Sequence, residues 1–153
     1  MVAIWKPTVQ SSTYRSDSKG DGLSNHAVDG NRSGNYYQKS CSSTTAQTNP
    51  WWRVDLQKSH VNLRLFVVNR ADCCGERLDN FEIRIGDSLV NDGNDNPSCG
   101  SSYIIPQGRG NTIACHTLLK GRYVNIWIQG PDKVLTLCEV EVYPFIEGEI
   151  DLV

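Results

Sequence analysis

Period-two alternation of apolar and polar residues constrains this chain more than any other feature. Val61-Asn-Leu-Arg-Leu-Phe-Val-Val68 sets Val61, Leu63, Leu65 and Val67 on one face, and Phe81-Glu-Ile-Arg-Ile85 turns Glu82 and Arg84 outward. Tyr123-Val-Asn-Ile-Trp-Ile-Gln129 groups Val124, Ile126 and Ile128, while Leu137-Cys-Glu-Val-Glu-Val142 sets Cys138, Val140 and Val142 opposite Glu139 and Glu141. Such alternation, rich in β-branched and aromatic residues, is the pattern of half-buried strands. Gly/Asn/Asp/Ser runs at 16–22, 29–35, 91–100 and 107–111 read as the turns between them. No long amphipathic helix pattern appears, and a single helical turn is expected at Asn25–Asp29. The expected fold is all-β, a jelly-roll β-sandwich with a loop-rich first forty residues. With 153 residues the chain is long enough for one domain with its own core. The domain is expected to span 1–145, with 146–153 as a tail or linker stub.

Charge and hydropathy narrow the partners. Fifteen basic against 17 acidic residues give a net charge of −2, which argues against nucleic acid. No apolar run approaches the roughly 18 residues of a membrane span, so no membrane insertion is expected. Met1-Val-Ala-Ile-Trp reads as the start of a mature or recombinant chain, without a signal peptide.

Six cysteines, Cys41, Cys73, Cys74, Cys99, Cys115 and Cys138, contain no CxxC spacing, so zinc-ribbon and thioredoxin readings fail. An even number without metal spacing favours disulfides and a secreted, extracellular protein. Six cysteines allow about 15 pairings, and the sequence does not choose among them. Cys73-Cys74 either pair elsewhere or bond to each other. Neighbouring Cα atoms lie about 3.8 Å apart, below the usual disulfide range, so a bond between them makes a rigid, polarizable patch that suits a binding site better than a core.

Nothing marks an enzyme. His26, His60 and His116 stand in no recognisable catalytic setting, and no GxSxG, HExxH, P-loop or dinucleotide fingerprint occurs. The densest chemistry is Asn69-Arg-Ala-Asp-Cys-Cys-Gly-Glu-Arg77. Arg70 and Arg77 supply planar forks of donors suited to vicinal hydroxyls and a ring oxygen. Asp72 is placed to hold one or both forks and offset their repulsion.

Here the chain resembles the F-type lectin (fucolectin) family, whose signature sets a histidine some two dozen residues ahead of R-x-D-x4-R/K. Arg70-x-Asp72-x4-Arg77 matches the second half, flanked by Thr48-Asn-Pro-Trp-Trp-Arg-Val-Asp-Leu56, Glu82-Ile-Arg-Ile-Gly86 and Leu135-Thr-Leu-Cys-Glu-Val-Glu-Val142. The resemblance covers about residues 4–144. It implies three disulfides, Cys41–Cys138, Cys99–Cys115 and Cys73–Cys74. It implies non-catalytic binding of terminal α-L-fucose on glycoproteins or glycolipids: Arg70 and Arg77 donate to sugar oxygens, Asp72 orients them, Cys73 and Cys74 pack on the ring, and Tyr37 with Tyr14 encloses the methyl. It also implies a structural calcium ion held by Asp29 and Glu139 carboxylates, Ser40 hydroxyl and carbonyl, and the carbonyls of His26, Asn31 and Cys138. Calcium takes six to eight oxygens and tolerates irregular loops.

One position departs from the family. Ser43, in Cys41-Ser-Ser-Thr44, stands where the signature histidine belongs, and it is too short to span the same gap without a water. This loss motivates a second expectation, an adhesion or protein-interaction module with lost or altered sugar specificity. A single monosaccharide site binds weakly, so a homo-oligomer or a tandem-domain parent is also expected.

Overall fold

Each of the four alternating segments forms a strand in the computed structural model, which describes residues 1–144; the expected tail, 146–153, lies outside the described residues. In chain order the strands are β1 (Thr8–Gln10), β2 (Ser42–Ser43), β3 (Trp51–Val61), β4 (Leu63–Val68), β5 (Phe81–Gly86), β6 (Ser98–Tyr103), β7 (Gly110–Ala114), β8 (Lys120–Trp127), β9 (Thr136–Leu137) and β10 (Glu139–Pro144). One sheet runs β1-β3-β8-β5-β6, a second β10-β4-β7, and β2 pairs with β9. Every pairing is antiparallel. Single 3-10 turns fill loops, including Ser24–Val28, where one helical turn was expected.

The inner faces meet as the alternation requires. Trp52 and Val54 stand opposite Ile126 and Val124, and Ile83 and Ile85 flank the same two residues from β5. The second sheet answers with Leu65 opposite Val142 and Val67 opposite Val140. All ten side chains are fully buried, and burial of this kind stabilises by about 1.5–3 kcal/mol per large aliphatic or aromatic residue.

All three expected disulfides are present, and no cysteine is free. Cys99–Cys115 ties β6 of the larger sheet to the residue after β7 of the smaller one. Cys41–Cys138 closes 97 residues and joins the chain before β2 to the residue between β9 and β10.

Burial differs from the alternation pattern at four residues. Val61 does not share the buried face with Leu63, Leu65 and Val67. It ends β3 and is 51% exposed, because Asn62 turns through a left-handed φ of 54° and resets the register. Glu139 and Glu141 do lie opposite Val140 and Val142, yet both are buried. The 29–35 loop covers them, with Gly30 N–H donating to Glu139 Oε2 at 2.8 Å and Arg32 donating to both Glu141 oxygens at 2.6 and 2.7 Å. The Arg32 guanidinium also stacks 4.2 Å from the Phe66 ring centroid. Glu82 is covered too, accepting from Trp127 Nε1 and Arg84 Nε, each at 2.7 Å.

Candidate functional site

The chain leaves β4 at Val68 and enters the site at once. Asn69 is buried, and its amide donates to the carbonyls of Gly75 and Ile105 at 2.9 and 2.8 Å. Its Oδ1 accepts the Arg70 N–H at 2.8 Å. One side chain therefore fixes both ends of the 70–75 loop. Cys74 then adopts a left-handed φ of 63° and opens the 3-10 turn Gly75–Leu78, whose Leu78 plugs the core. Gly75 lies so close to Gln107 that a Cβ there would fall 2.4 Å from Gln107 Cβ, so this position requires glycine. Gln107 Oε1 accepts from Gly75 N–H, and Gln107 Nε2 donates to the Ala71 carbonyl.

Beside this loop opens a hollow of about 530 Å3, of the size that takes small ligands. It brings together Arg70, Arg77, Cys73, Cys74, Tyr14, Tyr37 and Ser43. Asp72 stands behind Arg70, its Oδ1 accepting from Nε at 3.0 Å and its Oδ2 from Nη2 at 2.8 Å. That bidentate grip fixes the guanidinium plane and leaves Nη1 without a protein partner among the described residues. The pair is largely buried, and the Arg70 hydrogen bonds hold the Asp72 carboxyl below its ordinary range. Asp72 holds only the first fork. The Arg77 guanidinium has no hydrogen-bond or ion-pair partner among the described residues.

Tyr36, one of the side chains that crowd the 35–39 loop and could reach the site, turns inward, which periodicity does not reveal. It is buried, its ring centroid lies 4.6 Å from the Arg70 guanidinium, its N–H donates to Asp72 Oδ1 at 2.9 Å, and its hydroxyl donates to the Gly20 carbonyl at 2.9 Å. Burial first, and the neighbouring Tyr14 second, push its phenol up to about 12, so it stays a neutral donor. Tyr14 and Tyr37 both meet it edge-on with centroids 6.3 Å apart, and Tyr37 is the exposed wall. Lys19, Thr44, Thr45, Ala46 and Val134 complete the lining.

Ser43 reaches the hollow differently from expectation. It is buried, and its hydroxyl donates to the Thr44 carbonyl at 3.0 Å and meets Thr136 Oγ1 at 3.2 Å. Its proton is used inside the protein, so it offers the hollow an acceptor lone pair at most.

Next to Cys138 in the chain, Glu139 is fully buried. Its Oε1 has no hydrogen-bond partner among the described residues. Desolvation first, and the nearby Asp29 carboxylate second, push its pKa up to about 9. Ser40 is buried with its Oγ on the carbonyls of Ser33 and Asn35, and His26 Nδ1 lies 3.2 Å from the Cys41 carbonyl. Among the described residues no three acidic, histidine or cysteine side chains converge on one point. Two crowded carboxylates, one with an orphaned buried oxygen, offer oxygen atoms only, a donor chemistry that fits a hard, oxygen-seeking cation and no soft one.

Residues 26–126 match the family described as "NedA-like, galactose-binding domain", and with the two packed sheets this defines the class: a β-sandwich domain of the F5/F8 type C kind. The chain is 38% identical over 141 residues to the fucolectin of Anguilla anguilla, covering 92% of this chain and 89% of that one. Among solved structures, the F-lectin (fucolectin) from Morone saxatilis serum superposes with a TM-score of 0.88 at 43% identity, covering 94% of this chain. The present chain spans 48% of that longer one. A Streptococcus pneumoniae fucose-binding module superposes at 0.76 with 34% identity, covering 95% of this chain and 98% of that one. The chain belongs to the fucolectin, or F-type lectin, family.

Proposed function

We propose that the chain is a secreted, calcium-stabilised lectin that binds terminal α-L-fucose of glycoproteins or glycolipids and leaves the sugar chemically unchanged. The observation that carries this reading is Arg70, clamped by Asp72, stacked on Tyr36 and left with one free nitrogen beside Arg77 and the Cys73–Cys74 bond. Two guanidinium groups donate to the ring and hydroxyl oxygens. The sulfur pair supports the apolar face of the ring, and Tyr37 with Tyr14 surrounds the methyl. The names of the Anguilla and Morone relatives and the streptococcal module agree with it. One weak site per chain makes clustering, through oligomers or tandem domains, the route to useful avidity.

Calcium is proposed at Asp29, Glu139 and Ser40, with the carbonyls of His26, Asn31 and Cys138. Bound there, it neutralises the two carboxylates and pins the 29–35 loop to the last strand. The chelated protein carries a pH signature. Glu139 has an unfolded pKa near 4.5 and a folded one of about 9, so between these values the folded state holds the extra proton and stability falls as pH rises. The melting temperature in EDTA is expected to drop from pH 5.5 to pH 8. His60, lowered by burial, works in the opposite direction below its ordinary range, but calcium leaves it untouched. Excess calcium is therefore expected to protect most at pH 8. A calcium effect equal at both pH values would contradict the assignment of Glu139.

The same melting experiment separates the lectin from the interaction module. A ligand of the folded state raises stability by mass action. Calcium alone and then fucose on top of calcium are each expected to raise the melting temperature. Protection by calcium with none by concentrated fucose would favour the interaction module, a reading that the buried Ser43 hydroxyl keeps in play.

A further inference from the structure

The hollow carries more positive charge than a neutral sugar needs. Arg70, Arg77 and Lys19 all line it, while Asp72, the carboxylate behind it, has both oxygens on Arg70. Among the described residues neither Arg77 nor Lys19 has a carboxylate partner. The surplus is local, since the whole chain is at −2.

The backbone of Lys19 is held by its loop, and its side chain is exposed. Its N–H donates to Ser16 Oγ at 3.0 Å, Gly20 N–H closes onto the Ser16 carbonyl at 2.9 Å, and Ser16 N–H donates to Asp21 Oδ1 at 3.0 Å. Asp21 also takes the Arg15 guanidinium at 3.0 Å. The Tyr36 hydroxyl fastens the loop at the Gly20 carbonyl, and the same Tyr36 lies against Arg70. A continuous set of contacts thus ties the backbone of Lys19 to the guanidinium at the centre of the site. A single deoxyhexose fills only part of a 530 Å3 hollow, which leaves room for a substituent or a second sugar on the Lys19 side.

Resting on the lectin reading above, we propose that this site takes acidic fucosylated glycans, with Lys19 receiving a sulfate or carboxylate carried next to the fucose. A charge-assisted contact at an open site of this kind strengthens binding by about twofold to fivefold and is weakened by salt.

The test uses the calcium-loaded full chain in calorimetric titrations. The ligands are L-fucose, monosulfated L-fucose, and a fucosylated oligosaccharide with and without a terminal sialic acid, each at low and high salt. At low salt at least one acidic ligand is expected to bind about twofold to fivefold more tightly than its neutral counterpart. Which acidic ligand gains tells sulfate from carboxylate. In Lys19→Gln the acidic-to-neutral ratio should fall to near one, and high salt should do the same to the parent protein. An unchanged melting temperature confirms that this surface variant is folded. If neutral and acidic ligands bind the parent protein equally, or if Lys19→Gln keeps the preference, the proposal is overturned while fucose binding stands. If no fucosylated ligand binds at all, the lectin reading itself fails, and the proposal with it.

Discussion

Replacing Arg70 with lysine is expected to cut fucose affinity more than about tenfold while leaving the protein folded. The charge survives the change, and the fork does not. Asp72 receives Nε and Nη2 of Arg70 on separate oxygens, which fixes the direction of the remaining nitrogen. A lysine ammonium is a point donor on a flexible stem, so it can satisfy Asp72 or the sugar in this geometry but does not present a planar array to both. Arg70→Ala goes further. The side chains of Arg70 and Asp72 are only 10% and 19% exposed, and removing one partner leaves the other charge nearly buried. Tyr36 N–H still serves Asp72, which moderates the loss. About 2–3 kcal/mol of stability is the expected cost, read from urea denaturation, together with loss of every fucosylated hit on a glycan array. Retention of those hits in Arg70→Ala would move the sugar site elsewhere on the molecule.

The double replacement Cys41→Ser, Cys138→Ser is expected to have the largest effect on stability. The bond closes 97 residues, and in the chain-entropy treatment a loop of that size contributes about 4–5 kcal/mol. Cys99–Cys115 closes only 16, for which about 3 kcal/mol is expected. At about 2–4 °C per kcal/mol for a chain of this size, opening the long loop should lower the melting temperature by about 10–15 °C. The change should also weaken calcium protection, because Cys138 adjoins Glu139 and Cys41 follows Ser40, so both flanks of the proposed ion lose their mutual tether. A melting shift no larger than that of Cys99→Ser, Cys115→Ser would show that loop length does not set the stabilisation.

What could be read from the sequence, and what could not, follows from the physics of each signal. Alternation located β4, β5, β8 and β10 because a strand with one dry face must alternate. It told which face Glu139 and Glu141 occupy, but not that the 29–35 loop buries them; what covers a face depends on tertiary packing. The long β3 strand, from Trp51 to Val61, begins inside a block that carries the family likeness and was not assigned from alternation. Asn62, with positive φ, blurred its end into β4. At the site, the spacing of Arg70 and Asp72 was informative because an i, i+2 pair beyond a strand can fold back into a bidentate contact. Tyr36 and Tyr37 are adjacent on a 3-10 turn inside a loop, where no periodicity says which ring turns inward. The buried one proved to be the platform for Arg70. Lys19 lies on a separate loop, 51 residues from Arg70 in sequence, and only the tertiary fold brings them to one hollow.

In the proposed lectin, two guanidinium groups and a pair of bonded neighbouring cysteines grip a deoxyhexose although the family's histidine is replaced by Ser43. Calorimetric titration of L-fucose into the calcium-loaded chain tests it most directly. Saturable binding at one site per chain, absent from Arg70→Ala, is the expected result. Heats no larger than dilution up to concentrated sugar, from protein that calcium still stabilises, would contradict it.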